Sequence, residues 1–472
     1  MPASSADRAT RAAPGPNKIK GGEVSPLASA SSPKAAGSSA TPLGGDASRN
    51  APPSVGNIGY CYQLSPLEDV AELRGGFAFK SADYSESGRF VLRTLNIQDD
   101  GSITRNDAVY LPLSKTPQYQ RFELEDQDTL FVMVGATLGK IGYIRASDLP
   151  ALLNQNMWLI RGREKLCDKR YIHYAFRHCV GENLGFTTGS AREFARRNDY
   201  RKLKVPSPPL PIQKAIAHIL GTLDDRIELC RRMNETLEAM ARALFKDWFI
   251  DFGPVRAKMD GREPPGLSPE IAALFPDHLV DSELGEIPEG WKISTIGHVA
   301  NISSGKRPVY RLDVATAECK IPLFGGGGQM GFVSHPLYAK PIIFTGRVGT
   351  LGKIFRTSHP SWPSDNTLVI EANDYLFDFT YFFLLEQDLA ILNRGSTQPL
   401  LTQADLKKQK MALPPLNVLS KFSSISARIF DRISCNRDKI TSLSALRDAL
   451  LPKLLSGELS IPVAMLQIAA YV

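Results

Sequence analysis

The chain of 472 residues is 43% apolar and 22% charged, an ordinary composition for a globular protein, and its length predicts three or four structural units. No run of eighteen apolar residues occurs, which excludes a membrane-spanning helix, and the six cysteines contain no Cys-x-x-Cys pair, so neither a zinc site nor a disulfide framework is indicated. The net charge of +7 fits a polyanionic partner, and the scattered cysteines fit a reducing cytoplasm, the predicted location.

The chain begins with residues 1–57, which are rich in Ala, Ser, Pro and Gly and nearly lack aromatic residues. Such a segment cannot bury enough surface to offset chain entropy, so we predict a disordered extension, without the apolar core of a signal peptide. Residues 58–206 have the pattern of a strand-rich first domain with one short helix, Lys169–His178. Its predicted strands are Phe90–Leu92, Ala108–Leu111, Thr129–Val134, Lys140–Ile144 and Met157–Ile160.

Residues 207–252 carry a heptad pattern. Apolar or small residues recur at alternating steps of four and three, which is typical of a long helix lying against one partner helix. We call the predicted contact residues of this helix and of its copy the helix seam. In the central helix the seam consists of Ile216, Leu220, Leu223, Ile227, Cys230, Asn234, Leu237, Ala241, Leu244 and Trp248.

The same pattern recurs 206 residues later, in a distal long helix predicted within residues 412–459. The intervening chain is predicted as a linker, residues 253–284, with one short helix near Pro269–Phe275, and a second domain, residues 285–411. Residues 460–472 leave the pattern as a tail with no assigned role. In the distal helix the seam consists of Phe422, Ser426, Ile429, Ile433, Asn436, Ile440, Leu443, Arg447, Leu450 and Leu454.

Both halves of the chain share further landmarks. Each long helix follows Pro-Pro-Leu and carries Asp-Arg-Ile, at residues 225–227 and 431–433. In the domains, residues 67–70 with Gly76 correspond to residues 296–299 with Gly305. An internal duplication explains these shared offsets. The predicted fold class is therefore α+β, with two mixed strand-rich domains separated by two long antiparallel helices, a coiled coil, in an internal pseudo-twofold repeat.

Two glycine-rich segments are similar in sequence to cofactor-binding loops but lack residues that such sites need. Residues 135–140 are one residue short of a phosphate loop and are followed by Ile141 instead of the Ser or Thr that binds magnesium. Residues 324–328 formally fit the loop that holds S-adenosylmethionine, but the Asn/Asp-Pro-Pro-aromatic motif that handles a target amino group is absent. No catalytic triad, zinc-ligand spacing or paired-carboxylate nuclease pattern was found, so we predict a binding subunit with no catalytic residue, metal or cofactor of its own.

Basic residues cluster at the ends of the two domains and beside glycine turns. Such side chains on loops can contact phosphates or guanine edges. A solvated charged surface is the alternative explanation for any single one. The predicted DNA-binding residues are Lys80, Lys140, Arg192, Arg196, Arg197, Arg201, Lys202, Lys306, Arg307, Gln329, Lys353, Lys407 and Lys408.

In this combination the chain resembles the specificity subunits of type I restriction-modification systems over roughly residues 60–460. The resemblance rests on the two long helices after Pro-Pro-Leu, on the glycine-led domain starts at residues 76–84 and 305–308, and on three motifs at residues 244–252, 283–291 and 451–459. The N-terminal extension, the C-terminal tail and the polar seam positions depart from the family pattern.

The resemblance implies two target-recognition domains that each bind one half of a split double-stranded DNA sequence. It also implies two methyltransferase subunits docked on the long helices, with restriction/translocase subunits outside them. S-adenosylmethionine, ATP and magnesium would then be bound by those partners.

Two alternatives remain open at this point. One is the recognition subunit of a related two-subunit restriction-modification system that cuts on both sides of its site, which the neighbouring genes would distinguish. The other is a non-catalytic coiled-coil scaffold, which would lack salt-dependent binding to duplex DNA.

The seams also predict how the two helices pair. A twofold axis perpendicular to them makes them antiparallel, and matching the seam ends gives contacting residues whose numbers sum to 670. This register places Asn234 opposite Asn436 and Trp248 opposite Phe422. A pair of amides can satisfy its own hydrogen bonds in an apolar seam, whereas a slip of one heptad would leave each amide against an apolar residue.

Overall fold

The structure, a computed structural model, describes residues 62–135, 137–183, 197–348, 352–392, 400–469 and 471. These residues all lie within one structural unit, Ile58–Val472. The predicted extension, residues 1–57, lies outside the described residues.

The first domain is built mainly from short strands. Several of them, such as β5 and β7 below, are buried along their whole length, so they lack the apolar–polar alternation of a half-buried strand. In chain order the elements are β1 (Leu64–Pro66), α1 (Leu67–Val70), β2 (Ala71–Gly75), β3 (Arg89–Leu92), β4 (Val109–Leu111), β5 (Thr129–Val132), β6 (Ile141–Tyr143), β7 (Ala151–Leu153), β8 (Met157–Gly162), α2 (Lys169–Asn183), α3 (Arg197–Arg201) and β9 (Lys204–Pro206).

The central long helix and the segment after it follow directly. The helix α4 spans Leu210–Phe249, 40 residues, and starts immediately after the two prolines. The predicted linker is more structured than expected, because it contains two helices and the first strand of a hairpin. The linker elements are α5 (Gly253–Met259), α6 (Pro269–Ala272) and β10 (Leu279–Ser282), and β10 forms the hairpin with β11 (Gly285–Pro288).

The second domain repeats the strand-rich pattern and leads into the distal helix. That helix, α10, has 41 residues and ends where Gly457 adopts φ 80°, a left-handed C-cap. The elements are β12 (Lys292–Thr295), α7 (Ile296–Val299), β13 (Ala300–Ser304), β14 (Ile321–Gly325), β15 (Gly328–Val333), β16 (Ile343–Gly346), β17 (Ile354–Arg356), β18 (Trp362–Pro363), β19 (Thr367–Ala372), α8 (Asp374–Leu385), α9 (Gln403–Lys407), β20 (Lys410–Leu413), α10 (Leu416–Ser456) and α11 (Ile461–Ala469).

The two domains have the same sheet topology, which confirms the predicted duplication. In the first domain the strand orders are β2-β8-β5-β6, β4-β3-β7 and β1-β9; in the second they are β13-β19-β16-β17, β15-β14-β18 and β12-β20. Even the mixed character of the three-stranded sheet is repeated, since β3 pairs antiparallel with β4 and parallel with β7, as β14 does with β15 and β18.

Gly76 and Gly305 show why these landmarks persist. A Cβ on Gly76 would lie 1.8 Å from the carbonyl oxygen of Asn154, and one on Gly305 would lie 2.2 Å from that of Ser364. Both glycines therefore allow a close approach of two backbone segments that no other residue permits. Each glycine directly follows an edge strand of its four-stranded sheet, β2 in the first domain and β13 in the second.

The long helices pair antiparallel in the predicted register. Asn436 donates from Nδ2 to Asn234 Oδ1 at 2.9 Å, so the two seam amides meet as expected. Near one end of the pair, the rings of Trp248 and Phe422 lie 6.2 Å apart. The residue numbers in both contacts sum to the predicted 670, so the helices pair in the predicted register.

Each end of the helix pair joins a separate hydrophobic core. The first core combines the first domain with Ile216–Ile227 of α4 and Leu443–Leu455 of α10. The second core combines the second domain with Ala241–Phe252 and with Phe422–Ile433 of α10. Between the two cores the helix seam is less buried, since Asn234, Leu237 and Ile440 are only half-buried. The two domains thus pack at opposite ends of one helical spacer.

The C-terminal tail, to which the sequence assigned no role, forms α11 and completes the first core. Ala464 of α11 is fully buried there, as Val255 of α5 is in the second core. Both helices carry proline as their second residue, Pro254 and Pro462, a position that tolerates the missing amide hydrogen. The duplication therefore extends through the short helix that follows each long one.

Candidate nucleic-acid interface

One group of predicted DNA-binding residues lies beside glycine turns of the domains. Lys306 and Arg307 follow the close contact at Gly305, and Gln329 follows the turn between β14 and β15. All members of this group are exposed, so they are free to meet a partner without displacing protein contacts. The group consists of Lys80, Lys306, Arg307, Gln329 and Lys353.

A second group lies where each domain joins its long helix. Arg201 and Lys202 stand at the end of α3, next to α1, and the Arg201 guanidinium is 3.6 Å from the Glu68 carboxylate. Lys407 and Lys408 hold the matching place at the end of α9, next to α7. All four are exposed, but they stand at the domain roots and not at the glycine turns.

Lys140 follows a turn glycine, Gly139, but unlike the first group it is half-buried. Its Nζ lies 2.6 Å from an Asp99 carboxylate oxygen, and its side chain lines a cavity of about 450 Å³ between the first domain and the helix pair. Arg192 and Arg196 lie outside the described residues, and Arg197 begins α3 with a side chain that is also outside them. For all of the predicted residues, in both groups and outside them, DNA contact stays a prediction.

Sequence reasoning missed the ionic contacts that hold the first domain on the helix pair. Asp224 of α4 accepts hydrogen bonds from Tyr174 of α2 at 2.6 Å and from Arg447 of α10 at 2.7 Å. Burial alone would raise the pKa of Asp224, but the Arg447 charge and these hydrogen bonds lower it below its usual range. The heptad pattern contained a signal in Arg447, a charged residue at a seam position.

A second ionic contact joins α2 to α4. Arg170 forms two hydrogen bonds to the Asp225 carboxylate, at 3.0 and 2.6 Å, and a third to the Gly221 carbonyl oxygen at 2.8 Å. A Cβ at residue 221 would lie 2.3 Å from the guanidinium carbon of Arg170, so a larger residue there would displace this side chain from its hydrogen bonds. A glycine within a long heptad helix is the sequence signal for this crossing.

His173 lies in the same interface. It is 6% exposed and its Nδ1 is 3.3 Å from Thr129 Oγ1. Burial, with Arg177 nearby, lowers the pKa of His173 to about 3, so the imidazole is neutral at neutral pH. It therefore acts as a packed polar core residue in the first domain.

The second domain holds the helix pair chiefly through aromatic side chains. Phe422 of α10 has ring centroids 6.0 Å from Phe245 and 5.0 Å from Phe249 of α4, and 6.1 Å from Phe382 of α8. One buried charge pair accompanies them: Arg356 donates to Asp378 at 3.0 Å. The predicted seam aromatics thus belong to a larger cluster than a two-helix contact.

The glycine segments that approach cofactor loops are hairpin turns. Residues 326–327 connect β14 to β15, and Gly135 and Gly139, which both have positive φ, lie between β5 and β6. Within the described ranges, no group of three or more His, Cys, Asp or Glu side chains could hold a metal ion. In the same part of the chain, no helix has the length and apolar character needed to cross a membrane.

Comparison with known proteins settles the family. The model of the type I restriction modification DNA specificity domain matches residues 62–239 and 288–443, one match for each half of the duplication. The chain belongs to the type I specificity-subunit family. Both matches include a strand-rich domain and most of a long helix, so the family pattern covers the domains and the spacer together.

Known specificity subunits are similar over much of the chain. The MjaIX specificity subunit of Methanocaldococcus jannaschii is 27% identical over 349 residues, 68% of this chain and 76% of that protein. The HindI specificity subunit of Haemophilus influenzae is 27% identical over 319 residues, 54% of this chain and 69% of that protein. A solved S subunit from M. genitalium is 18% identical, covers 84% of this chain and 97% of that chain, and has a TM-score of 0.48.

Proposed function

We propose that this specificity subunit binds a bipartite duplex DNA target, with each domain recognising one half. The observation that carries the proposal is the placement of two domains of one topology at opposite ends of an antiparallel helix pair. Duplex DNA has twofold axes perpendicular to its length, so a pseudo-twofold protein can present two like domains to it. A helix of 40 residues, about 60 Å at ~1.5 Å per residue, sets the distance between them.

The target halves differ because the domain loops differ. The segment after Gly76 turns inward, where the rings of Phe77 and Phe79 contact that of Tyr119, with centroids 4.9 and 5.0 Å away. The segment after Gly305 instead exposes basic and apolar side chains. Domains with equal frames and unequal loops are suited to an asymmetric DNA sequence.

Methyl transfer and cleavage are assigned to partner subunits, which would bind S-adenosylmethionine, ATP and magnesium. The middle of α4 supports docking of methyltransferase subunits, since Leu229 and Met240 are 52% and 57% exposed between the two cores. They are eleven residues apart, about three helical turns, and therefore share one face. Restriction/translocase subunits would join outside the methyltransferases.

Exchange of one domain tests the bipartite target. Residues 62–206 are replaced by the first domain of another family member, and methylated sites are mapped across a genome that expresses the partner subunits. One half of the methylated sequence should change while the other half and the spacing stay the same. A change in both halves would show that the domains do not act separately.

Docking and DNA binding can be separated in the same complex. Leu229→Ser with Met240→Ser should reduce co-purification of the methyltransferase subunits and leave duplex binding by the full chain unchanged. A chain with no salt-dependent duplex binding would instead fit a coiled-coil scaffold. Methylation by the purified chain alone would contradict the assignment of catalysis to partners.

A further inference from the structure

The loop of residues 306–311 in the second domain leaves the sheet from a fixed root. The backbone N–H of Lys306 donates to the carbonyl oxygen of Pro363 at 3.1 Å, and the indole N–H of Trp362 donates to the carbonyl oxygen of Lys306 at 2.7 Å. Gly305 is pressed against the backbone of Ser364. These contacts with residues 362–364 therefore fix the direction in which the loop leaves the sheet.

The other end of the loop is fixed as well. Leu312 exchanges two backbone hydrogen bonds with Phe332 of β15, at 3.0 and 2.8 Å. A Cβ on Gly331, next to Phe332, would lie 2.6 Å from the Leu312 carbonyl oxygen, so the two segments are in close contact. The side chains between the two roots project from a short, anchored loop and not from a free linker.

The tip of this loop exposes apolar surface without a partner in the fold. Val309 is fully exposed and Tyr310 is 65% exposed, and Val309 is the most exposed large apolar side chain in the described part of the chain. Two adjacent apolar residues at a loop tip contribute little to folding while solvated. Their exposure suits a surface that a partner covers.

Cations surround the apolar tip. Lys306, Arg307 and Arg311 are all exposed, and none of them forms an ion pair with a described residue. Exposed cations that flank a tyrosine and a valine match a polyanion that also presents flat apolar groups. Duplex DNA has both, with phosphates along its backbone and base edges and thymine methyl groups in its grooves.

We propose that residues 306–311 form the base-contacting loop of the second domain, an inference that rests on the proposed function. Arg307 and Arg311 contact phosphates and position the loop, while Val309 and Tyr310 contact base edges and determine the sequence of one target half. The equivalent segment of the first domain cannot act in the same way, because Phe77 and Phe79 are packed inside it. The first domain therefore uses other side chains for its half.

Selection of duplexes from a randomised pool by the full chain tests the apolar tip. Val309→Ser with Tyr310→Ser should abolish or change the base preference in one half of the selected sequence and lower affinity for the original duplex at least tenfold. The preference in the other half should be retained. Ile391→Ser is the matched control, since Ile391 is 79% exposed in the same domain and belongs to a different segment, Leu389–Leu392.

The flanking cations have a different expected signature. Arg307→Ala with Arg311→Ala should weaken binding to all duplexes alike and reduce the slope of log affinity against log salt by about 2, roughly one per lost phosphate contact. Unchanged selection and salt slope in both double variants, in a chain that still selects a bipartite duplex, would overturn the loop assignment alone. Failure of the unaltered chain to select any duplex would overturn the proposed function and the loop assignment together.

Discussion

Asp224 and Phe430 occupy equivalent positions of the duplicated chain, as do their partners in the facing helix, Arg447 and Ala241. At the first end this layer is an ion pair of 2.7 Å that also binds Tyr174. At the second end it belongs to an aromatic core, with Phe430 6.0 Å from the ring of Phe382. Equivalent layers of the helix pair are thus ionic at one end and apolar at the other.

The difference teaches that a shared frame does not require a shared source of stability. An apolar layer gains from water exclusion and changes little with salt or pH near neutrality. The attraction within a buried ion pair must offset the large free-energy cost of removing both charges from water. Loss of one partner leaves the other charge buried and uncompensated, which is strongly destabilising. The contact of the first domain with the helix pair should therefore weaken when the pH changes or a charged residue is replaced. The contact of the second domain should weaken when a buried side chain is replaced by a smaller one.

The largest expected effect is at the second end. Phe422→Ala removes a fully buried ring that contacts α4 and α8, and should lower the free energy of unfolding by about 3–5 kcal/mol. Hydrogen exchange should accelerate in α8 more than in α2, at low and high salt alike. Met240→Ala, at an exposed position, is the control; equal acceleration in both helices would show that the two cores are not independent.

Removal of one charge at the first end should come next. Asp224→Ala leaves Arg447 largely buried without its main partner and should cost about 3 kcal/mol, with faster exchange in α2. Asp448→Ala is the control, because that carboxylate is 54% exposed. Asp224→Phe with Arg447→Ala copies the second end and should restore most of the stability; a double variant as unstable as the single one would mean that the layers are not interchangeable.

The pH dependence should also differ between the ends. The pKa of His173 is lowered to about 3 by burial, so unfolding takes up a proton below the unfolded value near 6.5, and stability falls as the pH decreases from there. Between pH 7 and pH 5 the loss should be about 2 kcal/mol, seen as faster exchange in α2. Asp224 adds a further loss near and below its unfolded pKa of about 4, because its folded pKa is lower.

His173→Gln isolates this contribution. The variant should keep an uncharged polar group beside Thr129 and flatten the dependence of α2 exchange between pH 7 and pH 5. The exchange of α8 serves as the internal reference. A wild-type profile that is already flat in this range would refute the role assigned to His173.

The smallest effect is expected midway between the ends. Asn234→Leu leaves the amide of Asn436, which is 1% exposed, without its partner and should cost about 1–2 kcal/mol shared by both ends. Asn234→Leu with Asn436→Leu should recover that stability but permit a slipped register. Cross-linking of cysteines placed at residues 227 and 443 would detect the slip as a loss of yield, whereas full yield would show that other layers fix the register.

The sequence was most informative where one contact repeats with a period. The spacing of apolar residues and the two amides sufficed for both helix ranges and for the register, because an amide facing an apolar layer is costly. The equivalence of Gly76 and Gly305 was also visible, since a close backbone approach excludes every other residue. These features depend on local spacing and on steric limits that a sequence displays directly.

Other features depend on contacts between distant segments and were missed. β7 is short and buried throughout, so it lacks an alternating pattern, and α11 is recognised as structural only once it packs in the first core. The partners of Arg170 and Arg447 lie on other elements, so their roles were not apparent. The predicted basic residues were identified by type alone, and the structure divides those that it describes between glycine turns and domain roots.

The two cores are completed at different times during synthesis. The second core is drawn from residues 241–433, one continuous stretch, whereas the first needs residues 443–468 as well as the first domain. The last residues of the first core are translated roughly 240 residues after Ile227, which is on the order of ten to fifty seconds later at 5–20 residues per second. The domain that leaves the ribosome first therefore waits longest for its packing partners. A nascent chain that stops near residue 440 carries a finished second core beside an unfinished first one.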